Sequence, residues 1–293
     1  MNTTPRYTVH PKERLYFALM TLFSIVIYGL IATGIAGALQ KISWEVVSTG
    51  AGPAITFYTL FFIFLAMFSS AILVGNLRSN GININPTQFP EVYDILRTQA
   101  QVLGLPRVPE MHVIQAGGML NAFAMRFARR NFVTLYSAVL EAAYAEGKEA
   151  VAFIIGHELG HIKHNHVSTL KFILTLPARM IPFLGGAYGR ACEYTCDRVG
   201  FALSPEGSIK GLLILGAGTK LAGKVNLNSL MNQRVNFGFA VWLAEIFATH
   251  PPLVKRLEAI KLLNREQLHP TTPAFITPHV QVVAENNHDQ VAS

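Results

Sequence analysis

Hydrophobic and polar positions divide the chain sharply, and the first division is two long stretches without a charged residue. Leu15 to Leu39 carries none and is long enough to cross a hydrocarbon core as a helix, which needs about 20 apolar residues. Val46 to Leu77 is equally free of charge, with Pro53 near its start and the run Phe57-Tyr58-Thr59-Leu60-Phe61-Phe62 at its centre. Between them, Gln40-Lys41-Ile42-Ser43-Trp44-Glu45 makes a short polar turn with a tryptophan suited to a membrane interface. The pattern predicts a transmembrane helical hairpin over residues 15–77, preceded by a polar N-terminus over 1–14. A cleaved signal peptide does not fit, because the first apolar core is too long and a second follows at once.

Beyond residue 77 the pattern shortens. Gly81 to Pro86 has turn chemistry and reads as part of a linker over 78–89. Val92, Ile95, Leu96, Ala100 and Leu103 share one face of a helix over Pro90 to Leu103, which Gly104 ends. Met111 to Ile114 and Asn131 to Tyr136 are strand-like runs. Between them, Asn121 to Met125 is a third strand or the turn that feeds one. Ser137 to Ala145 predicts a helix, and the apolar, proline-free run Glu149 to Ile155 leads into another. Val167 to Ala187 is apolar but holds Lys171, Pro177, Arg179 and Pro182, which argues against a clean span. It predicts a helix lying on the bilayer or a hydrophobic hairpin dipping into it, with burial in a soluble core as the alternative. Ser208 to Val225 gives a small-residue helix, and residues 264–293 read as a flexible tail. The fold class is α+β, mainly helical, with a domain over 90–263 that carries a small β-sheet.

Composition agrees with a membrane protein that has a modest soluble domain: 51% of residues are hydrophobic and 14% charged, with mean hydropathy +0.34. Arg6, Lys12 and Arg14 precede the first stretch and Arg78 follows the second, against Lys41 alone in the turn. That asymmetry predicts a multi-pass protein of the cell (inner) membrane with its domain on the cytoplasmic side. A net charge of +7 raises nucleic acid as a partner, but the basic residues are scattered. Arg126, Arg129 and Arg130 form the one dense cluster, explained by a solvated or membrane-facing patch, so nucleic acid is excluded. The lipid bilayer is the partner that composition implies.

The chemistry lies in His157-Glu158-Leu159-Gly160-His161. Residues four apart share a helix face, so His157 and His161 can present both imidazoles to one zinc ion, while Glu158 can reach a water there as general base. A zinc enzyme needs a third protein ligand. Glu193 and Asp197, also four apart and one connection further on, supply candidates. Glu193 completes a His, His, Glu set and Asp197 fixes the tautomer of a ligand histidine, or the two acids exchange roles. Cys192 and Cys196, beside them, are weaker candidates for the metal, and they suggest no secreted disulfide framework. His164 and His166 fall off the ligand face and are expected to be solvated.

Together with Asn121-Ala122-Phe123-Ala124 and Thr249-His250-Pro251-Pro252, these motifs resemble the membrane-bound zinc metallopeptidases of the HtpX and CAAX prenyl endopeptidase family, over roughly Pro90 to Leu263. HtpX-type proteins usually carry two further membrane segments between the two motif helices, for which the interval His166 to Cys192 is too short here. The resemblance implies a zincin-like fold, one zinc per chain and endopeptidase activity in membrane-protein quality control. It also implies His157, His161 and Glu193 as ligands, Glu158 as base, and Asp197 behind the ligands. By the same resemblance, Asn121, Ala122 and Phe123 lie near a substrate-binding sheet edge, and His250 is a donor to the oxyanion. His250 equally suits the approach to a final helix with proline in its first turn. The partners implied are polypeptides, membrane proteins among them. Two rival functions fit the same residues: a catalytically silent zinc-binding membrane adaptor, and a zinc hydrolase of a non-peptide substrate.

Overall fold

A computed structural model describes residues 7–41, 51–115, 117, 121–181, 183–218, 220–233 and 238–268. Ile42 to Glu45 of the polar turn expected over Gln40 to Glu45, Pro182 and the tail from 269 onward lie outside them, while Gln40 and Lys41 belong to a helix. The first uncharged stretch and the described part of the second are helical, as α1 (Pro11–Lys41) and α2 (Ala51–Asn80). Pro53 falls in the first turn of α2, where its missing N–H breaks no helical bond. Among the described residues one stretch, Pro11–Leu30, is long and apolar enough to cross a membrane, with mean hydropathy 1.4.

The expected linker is structured. Ile82–Ile84 forms β1, and only the turn after it is irregular, with Asn85 Oδ1 accepting from the Thr87 backbone N–H. The strand forms because Ile84 reaches the core while the backbone pairs antiparallel with Met111 to Val113. The sheet is completed by β2 (Glu110–Ile114), β3 (Ala122–Phe127) and β4 (Arg130–Tyr136), in spatial order β1-β2-β4-β3. It is mixed: β2 and β4 run parallel, and the outer pairs are antiparallel. The central strands bury Met111, Val113, Phe132, Val133 and Leu135, as strands covered by helices should. Ala122–Met125 therefore belongs to an edge strand, and Asn121 leads into it. Ala128 and Arg129, both at positive φ, close the β3–β4 hairpin as a two-residue turn of that hand requires.

Helix α3 (Pro90–Val102) buries Val92, Leu96 and Ala100, and Gly104 follows at φ +64. After α4 (Ser137–Glu146) comes the central helix α5 (Lys148–Lys163). It crosses α7 (Leu184–Leu203) at very short range. A Cβ on Gly156 would stand 3.1 Å from Gly200 Cα, and one on Gly160 would stand 3.1 Å from Cys196 Cα. Small residues at these crossing points bring the two motif helices face to face. Their approach puts residues 157 and 161 opposite 193 and 197.

The apolar interval after α5 forms α6 (Thr169–Arg179), capped by the Ser168 side chain and packed along α1. Tyr28 donates its hydroxyl to Ile173 O at 2.6 Å, and Ala178 N–H donates to Ser24 Oγ at 3.2 Å. Leu170 and Ile173 on α6, and Met180 just past its end, are exposed, so α6 is not buried in the soluble core. The helix predicted from Ser208 is α8 (Ser208–Ala217); it stops at Gly218, φ +86, short of Val225. After α9 (Leu227–Asn232) and α10 (Phe239–Phe247), α11 (Leu253–Leu268) starts just past Pro252 and runs five residues into the expected tail.

Candidate active site

The α5–α7 crossing assembles the site. His157 Nε2 lies 3.4 Å from one Glu193 carboxylate oxygen and His161 Nε2 lies 3.3 Å from the other. One ligand atom from each of the three lies within 4.8 Å of the others. Tetrahedral bonds of about 2.0–2.1 Å, as zinc makes to imidazole, hold neighbouring ligand atoms about 3.4 Å apart. The spacing and the nitrogen, nitrogen, oxygen donor set therefore fit such an ion.

Electrostatics agree. Burial disfavours a charged His157, but hydrogen bonds to Asp197 and Glu193 outweigh it and raise its pKa to about 10. Burial would raise the Glu193 carboxyl, yet the two histidines hold it well below its ordinary value. Buried carboxylates that favour a positive charge between them are what a cation site requires. Glu158 is buried on the same cavity wall, and burial raises its carboxyl pKa against the pull of His157 and His161.

Behind the trio, His157 Nδ1 lies 3.0 Å from Asp197 Oδ1. Asp197 is 1% exposed and is itself gripped by Arg256, whose Nε and Nη2 donate to its two oxygens at 2.8 and 2.6 Å. Burial acts to raise Asp197, and the guanidinium overrides it and lowers the pKa. The sequence did not reveal Arg256. It sits among Lys255, Glu258 and Lys261, where it reads as part of a solvated helix face.

His166 is a correction. It is not solvated: its side chain is 6% exposed and lines the cavity. Helix α5 ends at Lys163, and Asn165, at φ +55, turns the chain back, so helical spacing no longer applies. His166 Nδ1 comes within 3.2 Å of His161 Nδ1, and its Nε2 within 3.0 Å of Glu13 Oε1 on α1. Glu13 in turn accepts from Thr195 Oγ1, which accepts from the His10 backbone N–H at 3.0 Å. His164 is also drawn in, with Nε2 3.2 Å from the Tyr7 hydroxyl. Burial pushes the Cys192 thiol up to about 12 and Cys196 well above its ordinary value.

The cleft has a volume of about 450 Å³, and Asn121, Ala122, Phe123 and Ala124 line one side. These residues lead and begin β3, whose outer edge meets no other strand among the described residues. Exposed His250 stands at the mouth, Nε2 3.6 Å from Glu193 Oε1 and Nδ1 3.0 Å from Thr249 Oγ1. All the predicted site residues thus border one cleft or stand directly behind it.

The chain is similar to known peptidases over much of its length. The chain is 25% identical over 185 residues to the plastoglobule-localized metallopeptidase 48, chloroplastic, of Arabidopsis thaliana, covering 57% of this chain and 52% of that protein. It is 23% identical over 218 residues to protease HtpX of Hydrogenovibrio crunogenus, covering 60% of this chain and 70% of the other. With a protease HtpX homolog of Thermococcus sibiricus it shares 25% identity over 284 residues, 80% of this chain and 94% of that one. The chain thus spans about half the length of the chloroplast relative. The crystal structure of S. mikatae Ste24p superposes with a TM-score of 0.49 at 14% identity, covering 82% of this chain and 66% of that one. The profile of peptidase family M48 matches residues 86–180 and 168–264, which hold the His157–His161 motif, Glu193, Asp197, His250 and Arg256. The chain belongs to peptidase family M48.

Proposed function

We propose that this protein is a membrane-anchored zinc endopeptidase in which His157, His161 and Glu193 hold the metal and Glu158 is the general base. The observation that carries the reading is the convergence of those three side chains, with Glu158 beside them, on a cleft bordered by an edge strand. A zinc ion bound there supplies Lewis acidity to the attacking water and to the scissile carbonyl. The chain's own residues do the rest. Glu158 takes a proton from the water and returns it to the leaving amine. An extended substrate adds to β3 at Asn121 to Phe123, where main-chain hydrogen bonds fix the scissile bond over the site. His250 at the mouth donates to the developing oxyanion.

The hairpin over 15–77 anchors the domain, which faces the cytoplasm. The charge-free stretches, the helices described within them and the excess of Arg and Lys outside the turn support this topology. Polypeptides, including membrane proteins under quality control, are the substrates; α1 contributing Glu13 behind the site supports a cleft close to the membrane. Purified in detergent, the chain should retain one zinc and cleave casein, and a chelator should stop cleavage until zinc is restored. A folded chain that binds no zinc would remove the central claim.

The two ligand histidines have matching backing. If His166 donates from Nε2 to Glu13, its Nδ1 accepts from His161 Nδ1–H, which leaves His161 Nε2 free to ligate. Asp197 does the same for His157. His166→Ala should therefore weaken zinc binding by about 10–100-fold, as loss of an outer partner does. Competition with a chromophoric chelator reads this directly, and unchanged affinity would make His166 a packing residue only.

A further inference from the structure

We propose that α10 is an interfacial helix lying in the surface of the bilayer that α1 crosses, and that it seats the mouth of the cleft on the membrane. This rests on the membrane anchoring proposed above and is independent of the peptidase chemistry.

Helix α10 reads Phe-Ala-Val-Trp-Leu-Ala-Glu-Ile-Phe, and none of its residues is buried. Phe239 is 74% exposed, Trp242 55% and Phe247 63%. A helix at a water-facing surface turns an apolar stripe inward and a polar face outward. Here the apolar residues face out, and the one charge is withdrawn: both Glu245 carboxylate oxygens accept from Lys255 Nζ at 2.6 Å. The C-terminal carbonyls are also satisfied without water. Arg190 Nη1 donates to Glu245 O, Ile246 O and Ala248 O at 2.8, 3.1 and 2.6 Å. An apolar exterior with its polar groups paired inward suits a low-water environment.

Continuity with the membrane helix decides what covers this surface. The Phe247 ring meets the Phe183 ring with centroids 5.1 Å apart. The next residue, Leu184, packs against the cluster of Met20, Ala178 and Tyr188, which joins α1, α6 and α7. Along α1, the exposed residues Leu170 and Ile173 of α6, with Met180 just past its end, extend the same apolar face. Whatever covers the outer side of α1 therefore reaches α10, and for Pro11–Leu30, the one stretch among the described residues long and apolar enough to cross a membrane, that is lipid. Trp242, aromatic with one N–H, suits the headgroup level. The chain leaves α10 at Ala248 and reaches His250 at the cleft mouth two residues later. Contact of α10 with lipid thus positions the cleft for polypeptide segments lying close to the membrane surface.

The chain has two tryptophans, so Trp44→Phe leaves Trp242 as the sole indole reporter. The full-length variant, zinc-loaded, is reconstituted into phosphatidylcholine vesicles with plain or brominated acyl chains. Loss of Trp242 emission in the brominated vesicles, with protection from aqueous iodide, is the expected result. Quenching by iodide alone would place α10 in water and overturn the proposal. Protection from both quenchers would mean that a second copy or another protein covers the helix, and would overturn it equally. A chain that fails to float with the vesicles would sink the anchoring itself, a separate readout. If Trp44→Phe does not fold, the emission difference between the native chain and Trp242→Phe isolates the same signal.

Discussion

Glu158→Gln should lower turnover of a peptide substrate by about 10²–10⁴-fold, the usual share of general acid–base catalysis, and leave zinc bound. Gln keeps the size of the side chain but cannot accept and return a proton. Glu158 is adjacent in sequence to His157 and shares its cavity, yet the grouped ligand atoms come from His157, His161 and Glu193. Burial raises its carboxyl pKa from the ordinary value, in the direction a base working near neutrality needs. The measurement is kcat alongside zinc content on the same preparation. Equal turnover in both proteins would remove Glu158 from the mechanism. Lost turnover with an intact cellular role would favour the silent adaptor. A hydrolase of non-peptide substrates would show itself in the products, which mass spectrometry of a digested peptide distinguishes.

The site was legible where helical periodicity carries it and illegible where the chain leaves that periodicity. His157 with His161, and Glu193 with Asp197, are pairs at spacing four, so each pair declares a shared face. That the two faces meet depends on Gly156, Gly160 and Gly200, whose sequence positions give no hint of which helix they touch. Arg256 pairs with Asp197 across 59 residues, and nothing local marks it as buried. His166 was misplaced because spacing was extended past Lys163, where the helix has already ended. In the fold, Ile82–Ile84 was hidden by its flanking glycine, asparagines and proline, which promise a turn; only pairing with β2 makes it a strand.

Arg256→Met should be the most destabilising single change, at about 3–5 kcal/mol, because it strands a buried carboxylate. Asp197 is 1% exposed and Arg256 8%, so water offers neither much relief. The two N–H bonds at 2.8 and 2.6 Å form a fork that a lysine cannot reproduce, so Arg256→Lys should recover only part of the loss. Denaturant unfolding of the purified protein in detergent gives the value. The double variant Asp197→Asn with Arg256→Met removes both charges, and it should lose less than the sum of the single changes. Such coupling would assign the cost to the orphaned carboxylate and not to lost packing of the long side chain. If Arg256→Met unfolds with the native protein, the pair does not carry the site. Zinc affinity separates the remaining roles. With Asp197 no longer held, His157 loses its fixed orientation, and binding should weaken even under conditions where the fold survives.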